Sequence, residues 1–152
     1  MAYQIRGMSP EELTAFLGQP HIAVIGTVDG SGRPRSTPIW YQWEDGAAHM
    51  FTFRDSLKWR NLKRTSHASL CIDRREPPSQ RHYAMVTMDG PVEETNRPLY
   101  DLVLAMAVRY YGPEEGRAFA EDYREDRFGS VSFRLIPRRI LSHSPDTSPT
   151  RP

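Results

Sequence analysis

At 152 residues, 38% of them hydrophobic, the chain fits one globular domain that buries roughly two thirds of its unfolded surface. A formal net charge of +1 gives no overall field with which to hold nucleic acid or an anionic membrane, so any basic patch has to act locally. The single cysteine, Cys71, excludes an internal disulfide, and its apolar setting between Ala68 and Ile72 points to a buried, inert thiol. Arg6, Glu11 and Glu12 interrupt any apolar signal core, and no apolar run is long enough to cross a bilayer, so a cytoplasmic protein with no membrane partner is expected.

In chain order, Ser9-Pro10-Glu11-Glu12 has the marks of a helix start: a serine cap, proline at the first helical position and acids in the first turn. Leu13, Phe16 and Leu17 then share one face, and the helix ends near Gly18. His21 to Val28 is a β-branched run stopped by Asp29-Gly30-Ser31-Gly32, which supplies the positive φ angles of a hairpin. Arg35 to Trp43 is predicted as the returning strand, Glu44-Asp45-Gly46 as a turn and Ala48 to Phe53 as a third strand, giving an antiparallel meander. A basic helix, Leu57 to Arg64, leads to the strand Ala68 to Asp73. The next segment, RREPPSQR, carries paired prolines that forbid regular pairing and mark an exposed loop.

His82 to Glu94 reads as a further strand. Asn96-Arg97-Pro98 opens a helix with Leu99, Leu102, Val103, Met106 and Tyr110 at helical spacing, and Gly112-Pro113-Glu114-Glu115 opens another carrying Phe119 and Tyr123. Ser130 to Ile136, a turn at Pro137 and Ile140 to His143 complete the strands. Six or seven strands in hairpins, with helices inserted, predict a mainly β, α+β fold: a split antiparallel β-barrel with flanking helices. One domain is expected over residues 1–144, with residues 145–152, rich in Ser, Thr and Pro, as a flexible tail. No glycine-rich strand-to-helix turn is present, which argues against a parallel dinucleotide fold.

The informative stretch for function lies where the third strand meets the basic helix. Arg54, Asp55 and Ser56 lead into a first turn whose amides have no intrahelical partner, the helix dipole there favours negative charge, and Arg54 and Lys58 add full positive charges. That is an anion site, and a phosphorylated ligand is expected. Lys58 and Asn61, three residues apart, share a helix face. The alternative is that Asp55 or Ser56 only caps the helix while Lys58, Arg60, Lys63 and Arg64 form a solvated basic face.

The run RPRSTPIW, the turn, MFTF, then S-x-K-x-R-N-L and SLCID resemble the pyridoxamine 5′-phosphate oxidase-like split β-barrel proteins, the group that binds FMN or the deazaflavin coenzyme F420. The resemblance covers residues 9 to 94 well and the last third loosely, and its most specific element is Thr52 followed by Ser56, Lys58 and Asn61. It implies that Thr52, Ser56 and Lys58 hold the coenzyme phosphate, with Arg54 and Asn61 beside them. Arg35, Ser36, Thr37, Pro38 and Trp40 would run beside the ring. It also implies a homodimer, since the coenzyme cleft in such barrels lies between subunits, and redox chemistry on a small organic substrate.

F420 and FMN share the phosphate anchor but differ in the tail, which in F420 continues into glutamates. Arg54, Arg60, Arg64, Arg74, Arg75 and Arg81 are candidates to line a channel for it, and Lys58 and Lys63 as the only lysines among 20 basic residues suggest a GC-rich source; F420 is therefore expected ahead of FMN. The closing segment PRRILSHSPDTSPTRP lacks the Arg and His pattern of the true pyridoxamine phosphate oxidases, so their substrate is not carried over. Five scattered histidines have no paired ligand spacing and no metal is expected. No serine has a nucleophile-elbow context. Trp40, Tyr41, Trp43, Phe51 and Phe53 read mainly as core, with Trp40 or Trp43 a candidate to border a ring. A non-catalytic carrier of a flavin or tetrapyrrole is the reading from another class, because it would use the same anchor.

Overall fold

The computed structural model describes residues 7–75 and 83–144. The elements are α1 (Pro10–Leu17), β1 (Ala23–Val28), β2 (Pro34–Ile39), β3 (Gln42–Glu44), β4 (Ala47–Phe53), α2 (Leu57–Thr65), β5 (His67–Arg75), β6 (Tyr83–Glu94), α3 (Leu99–Tyr111), α4 (Pro113–Glu121), β7 (Ser130–Leu135) and β8 (Arg139–His143). Most of the expected RREPPSQR loop, His82 and the expected tail 145–152 lie outside the described residues.

Two local signals act as their chemistry requires. The Ser9 hydroxyl accepts from the Glu12 amide while the Glu12 carboxylate accepts from the Ser9 amide, a reciprocal box that starts α1. Between β3 and β4, Asp45 and Gly46 both take positive φ, 50° and 71°, the geometry of a two-residue hairpin turn matched to strand twist.

All strand pairings are antiparallel, and the sheet runs β2-β1-β5-β6-β7-β4-β3 with β8 also on β6. The twelve-residue β6 serves both halves: Tyr83 to Pro91 pair with β5, and Val92 to Glu94 pair with β7. The two ends of the path, β2 and β3, are consecutive in the chain and separated only by Trp40 and Tyr41. The single strand expected from Arg35 to Trp43 is therefore two strands joined by a bend. The expected three-stranded meander does not form, because β2 pairs with β1 while β3 pairs with β4. The bend carries the chain from one half of the sheet to the other and closes the split barrel.

The barrel interior is filled by Ile25, Met50, Leu70, Ile72, Val86 and Phe133, with Trp59 and Leu62 of α2 and Phe16 and Leu17 of α1 packed into it. A second layer lies outside β4 and β7, where Leu102, Val103, Met106 and Ala107 of α3 are buried together with Ala120 of α4. The α3–α4 crossing needs Gly116: a Cβ there would lie 2.5 Å from the Val108 backbone.

β2 departs from the rest of the sheet. It is bonded to one neighbour only, and Pro34 to Pro38 are exposed on both faces, with Ile39 alone buried. An edge position tolerates its two prolines, since the missing amides belong to a ladder that does not continue. Arg35 and Thr37 lie opposite Thr27 and Ile25, whose side chains are buried, so they share the inner face and yet stand open. The inner face of the barrel is uncovered along β2.

Candidate functional site

Thr52 is the last inward-facing residue of β4, 8% exposed, and its hydroxyl lies 3.3 Å from that of Ser56. A tight turn between them, closed by the Ser56 amide donating to the Phe53 carbonyl at 3.0 Å, folds the strand end back towards α2. The Ser56 hydroxyl accepts from the Trp59 amide at 3.1 Å and so caps α2. The amides of Leu57 and Lys58 stand in the first turn, where no carbonyl of the helix can reach them, and no acid occupies that turn. Asp55, just before the cap, is exposed.

Lys58 projects from the same turn and is half-buried. Among the described residues no carboxylate or carbonyl is partnered to its ammonium, and burial pushes its pKa below the ordinary lysine range. A half-desolvated cation with no counter-ion among the described residues, in the same first turn as unbonded amides and the capping Ser56 hydroxyl, favours an anion with several acceptor oxygens.

The other expected residues are distributed around this point. Arg54 follows Phe53 in the turn and forms an exposed pair with Glu94 at 3.0 Å. Asn61 is fully buried: its amide donates to the Thr27 hydroxyl at 3.2 Å and its oxygen accepts from Arg64 at 3.2 Å. Arg35, opposite Thr27 on β2, is paired with Asp29 at 2.9 Å, which ties the β1–β2 hairpin. Ser36, Thr37 and Pro38 are exposed on β2. Thr27 thus joins α2 through Asn61 and faces β2 through its register, so α2 and the open strand flank one stretch of β1. Trp40 sits at the bend and stacks on Tyr110, with centroids 4.8 Å apart and planes 9° apart, and lies near Tyr111 and Phe119. Its ring packs against α3 and α4, and Trp43 packs against the core.

The arginines considered for an anionic tail are largely engaged within the chain. Arg54 meets Glu94, Arg64 donates to the Val28 carbonyl and to Asn61, Arg74 to Gln19, and Arg75 to Asp73. Arg60 is exposed, and Arg81 lies outside the described residues. Among the described residues, no group of three or more His, Cys, Asp or Glu is placed to hold a metal ion. Among the described residues, no helix is long and apolar enough to cross a membrane.

Sequence reasoning missed Arg109 and Tyr110, in the last turn of α3. Arg109 donates to the carbonyls of Tyr41 (3.1 Å), Leu17 (3.2 Å) and Gln19. The Tyr110 hydroxyl donates to the His21 carbonyl at 2.5 Å and accepts from the Tyr41 amide at 3.5 Å. Burial pushes both phenols, Tyr41 and Tyr110, above the ordinary tyrosine range. Burial, with help from Arg74 and Arg109, holds His21 below the ordinary histidine range. The available signal was an Arg-Tyr-Tyr triplet at the end of an amphipathic helix, a pattern that a solvated helix end shares.

A family model described as pyridoxamine 5′-phosphate oxidase matches residues 9–143. No curated protein matches the sequence at a significant level. Among solved structures, the chain is similar to the conserved hypothetical protein Rv2991 from Mycobacterium tuberculosis. That pair is 23% identical with a TM-score of 0.79, covering 100% of this chain and 95% of the other. It is also similar to an F420 reductase, at 20% identity and a TM-score of 0.63, covering 87% and 98%. The haem-storage protein HutZ from Vibrio cholerae shares 18% identity at a TM-score of 0.66, covering 89% and 96%. Likenesses at such identities establish a common fold.

Proposed function

The chain belongs to the pyridoxamine 5′-phosphate oxidase family, and on that premise we propose that it is a flavin-type oxidoreductase that transfers hydride between the deazaflavin F420 and a small organic substrate. Thr52, Ser56 and Lys58 would hold the coenzyme phosphate, Arg54 would stand at the rim of the site, and Arg35 to Trp40 would run beside the ring. The observation that carries this reading is the half-buried Lys58, whose ammonium has no counter-ion among the described residues, in the helix turn capped by Ser56, whose hydroxyl pairs with that of Thr52. When bound, the coenzyme supplies the hydride chemistry, which accords with a site built for binding rather than for acid, base or nucleophile. The residues themselves grip the phosphate, and the open inner face along β2 leaves room for a flat ring.

The F420 reductase among the structural neighbours supports F420 as the first coenzyme to test. FMN is the alternative, and the engagement of Arg54, Arg64, Arg74 and Arg75 within the chain lessens the case for a long acidic tail. The haem-storage neighbour keeps a carrier of flavin or tetrapyrrole as the reading from another class.

A homodimer is part of the proposal. By register, Pro38, Val24, Cys71, Thr87 and Leu141 form one row across the outer face of β2, β1, β5, β6 and β8. Val24 and Leu141 in that row, with Ile22 and Val28 near it, are each at least 40% exposed. A second copy laid on this face would cover it, and a coenzyme cleft shared between subunits would then lie at the edge of β2.

The test is a parallel titration of the purified protein with F420, FMN and riboflavin. Binding of F420 or FMN at micromolar concentrations or below, with riboflavin weaker by roughly tenfold or more for want of the phosphate, supports the anchor. Equal binding of riboflavin, or binding of none of the three, overturns it. Reduced coenzyme is then offered with enones, quinones and tetrapyrroles: oxidation by one of them identifies a reductase, and bound coenzyme that none oxidises identifies a carrier.

A further inference from the structure

The strand proposed to run beside the ring lacks the packing that normally fixes a strand. β2 has one bonded neighbour, two prolines and five exposed residues out of six. Beyond its ladder to β1, its direction is therefore set at its ends. At the first end, Arg35 is paired with Asp29, whose carboxylate also accepts from the amides of Ser31 and Arg33. At the second, β2 runs into the Trp40–Tyr41 bend, and two consecutive residues of α3 hold that bend.

Arg109 and Tyr110 hold two chain segments at once. Toward the bend, Arg109 donates to the Tyr41 carbonyl, the Tyr41 amide donates to the Tyr110 hydroxyl, and the Trp40 indole lies flat on the Tyr110 ring. Toward the α1–β1 connection, the same guanidinium donates to the carbonyls of Leu17 and Gln19, and the same hydroxyl donates to His21. The guanidinium lies 5.2 Å from the centroid of Tyr41 and 5.7 Å from that of Tyr110. Among the described residues its partners are carbonyls and rings, and its Nε is buried without one. A cation placed this way answers to backbone positions and not to a neighbouring charge.

We propose that Arg109 and Tyr110 are positioning residues: by clamping the Trp40–Tyr41 bend to the α1–β1 connection, they fix the direction of β2 and hence the seat offered to the coenzyme ring. The seat for the ring rests on the coenzyme reading above; the clamp on β2 does not. Tyr41 is the residue through which both act, since its amide and carbonyl are the groups they hold.

The experiment compares Tyr110→Phe, which keeps the ring under Trp40 and removes the hydroxyl, and Arg109→Lys, which keeps the charge and cannot span three carbonyls, with the wild-type full chain. Hydrogen exchange without coenzyme should quicken by roughly fivefold or more at the amides of Arg35, Thr37 and Ile39, which face β1, in both variants, with Leu70 to Ile72 of β5 unchanged. FMN affinity should fall by a similar factor while affinity for inorganic phosphate holds, because the anchor on α2 is untouched. Exchange that rises equally in β2 and β5, or not at all in β2, overturns the clamp. Equal losses for FMN and phosphate overturn its link to the ring. If wild-type protein binds neither FMN nor F420, the coenzyme reading fails and the link to the ring with it, while the exchange pattern still decides the clamp.

Discussion

Asn61 donates its side-chain amide to the hydroxyl of Thr27 at 3.2 Å, and neither residue is more than 6% exposed. The bond ties the helix that carries Lys58 to the strand that faces β2. Asn61→Ala leaves the Thr27 hydroxyl buried without that partner and should cost about 1–3 kcal/mol of stability, read as a lower midpoint of urea unfolding with an unchanged slope. An unchanged midpoint together with a loss of coenzyme affinity would instead place Asn61 on the ligand.

Lys58→Ala should have the opposite profile. Loss of a charge-assisted contact should weaken F420 or FMN binding by roughly 1–3 kcal/mol, about 5- to 150-fold by calorimetry. The ligand-free protein should unfold at the same midpoint or slightly later, because the folded state holds this ammonium less readily than water does. A marked loss of ligand-free stability would make Lys58 structural.

The same depressed pKa makes anion binding pH-dependent. Above about pH 7.5 a phosphate monoester is already largely dianionic, so the remaining titration belongs to the protein. Affinity should decline as pH rises through the Lys58 value, which lies below the ordinary lysine range, and the decline should vanish in Lys58→Ala. An identical decline in both proteins would assign it elsewhere.

His49, on the outer face of β4, sets an acid limit on stability. Burial, then Arg97 and Arg134, hold its imidazole below the ordinary histidine range against the pull of Glu44, and its Nδ1 is buried without a partner. The unfolded chain therefore takes up the proton first, and stability present above the unfolded value of about 6.5 is lost as pH falls through the folded one. Urea midpoints should drop between about pH 7.5 and about pH 5, and His49→Gln should lessen the drop. His21 contributes in the same direction, so the loss should shrink without disappearing.

Val24→Asp puts a carboxylate in the middle of the exposed apolar row. Sedimentation should show a dimer for the wild type and a monomer for the variant, with coenzyme affinity reduced in step and the ligand-free midpoint compared at equal concentration. A wild-type monomer would remove the proposed interface.

Much of the barrel was legible because its local chemistry is explicit: the Ser9 capping box, the Asp45-Gly46 turn and the β-branched runs of β1 and β5 state their own conformations. The bend at Trp40–Tyr41 was not, since alternation continues across it. Ile39 and Tyr41 are both buried, and nothing in the spacing says that they serve different halves of the sheet. Ser56 and Lys58 could be picked out because a helix start imposes one geometry, whereas Thr52, on the strand before it, joined them only through the family resemblance. Spacing put Asn61 on the face of Lys58 but could not say how deeply that face is buried. Arg109 was illegible because its partners are backbone carbonyls 68 to 92 residues away, which no local pattern encodes.

The covalent join between β2 and β3 gives this barrel a zipper with no teeth. Elsewhere around the cylinder, prising two strands apart means breaking a row of amide–carbonyl bonds, but here the two rims are leashed by a pair of residues and rotation about their dihedral angles is enough to widen the gap. If the coenzyme binds as proposed, a bulky guest would enter at that slit with every rung of the sheet intact, and the end of α3, which buttons it, would govern entry.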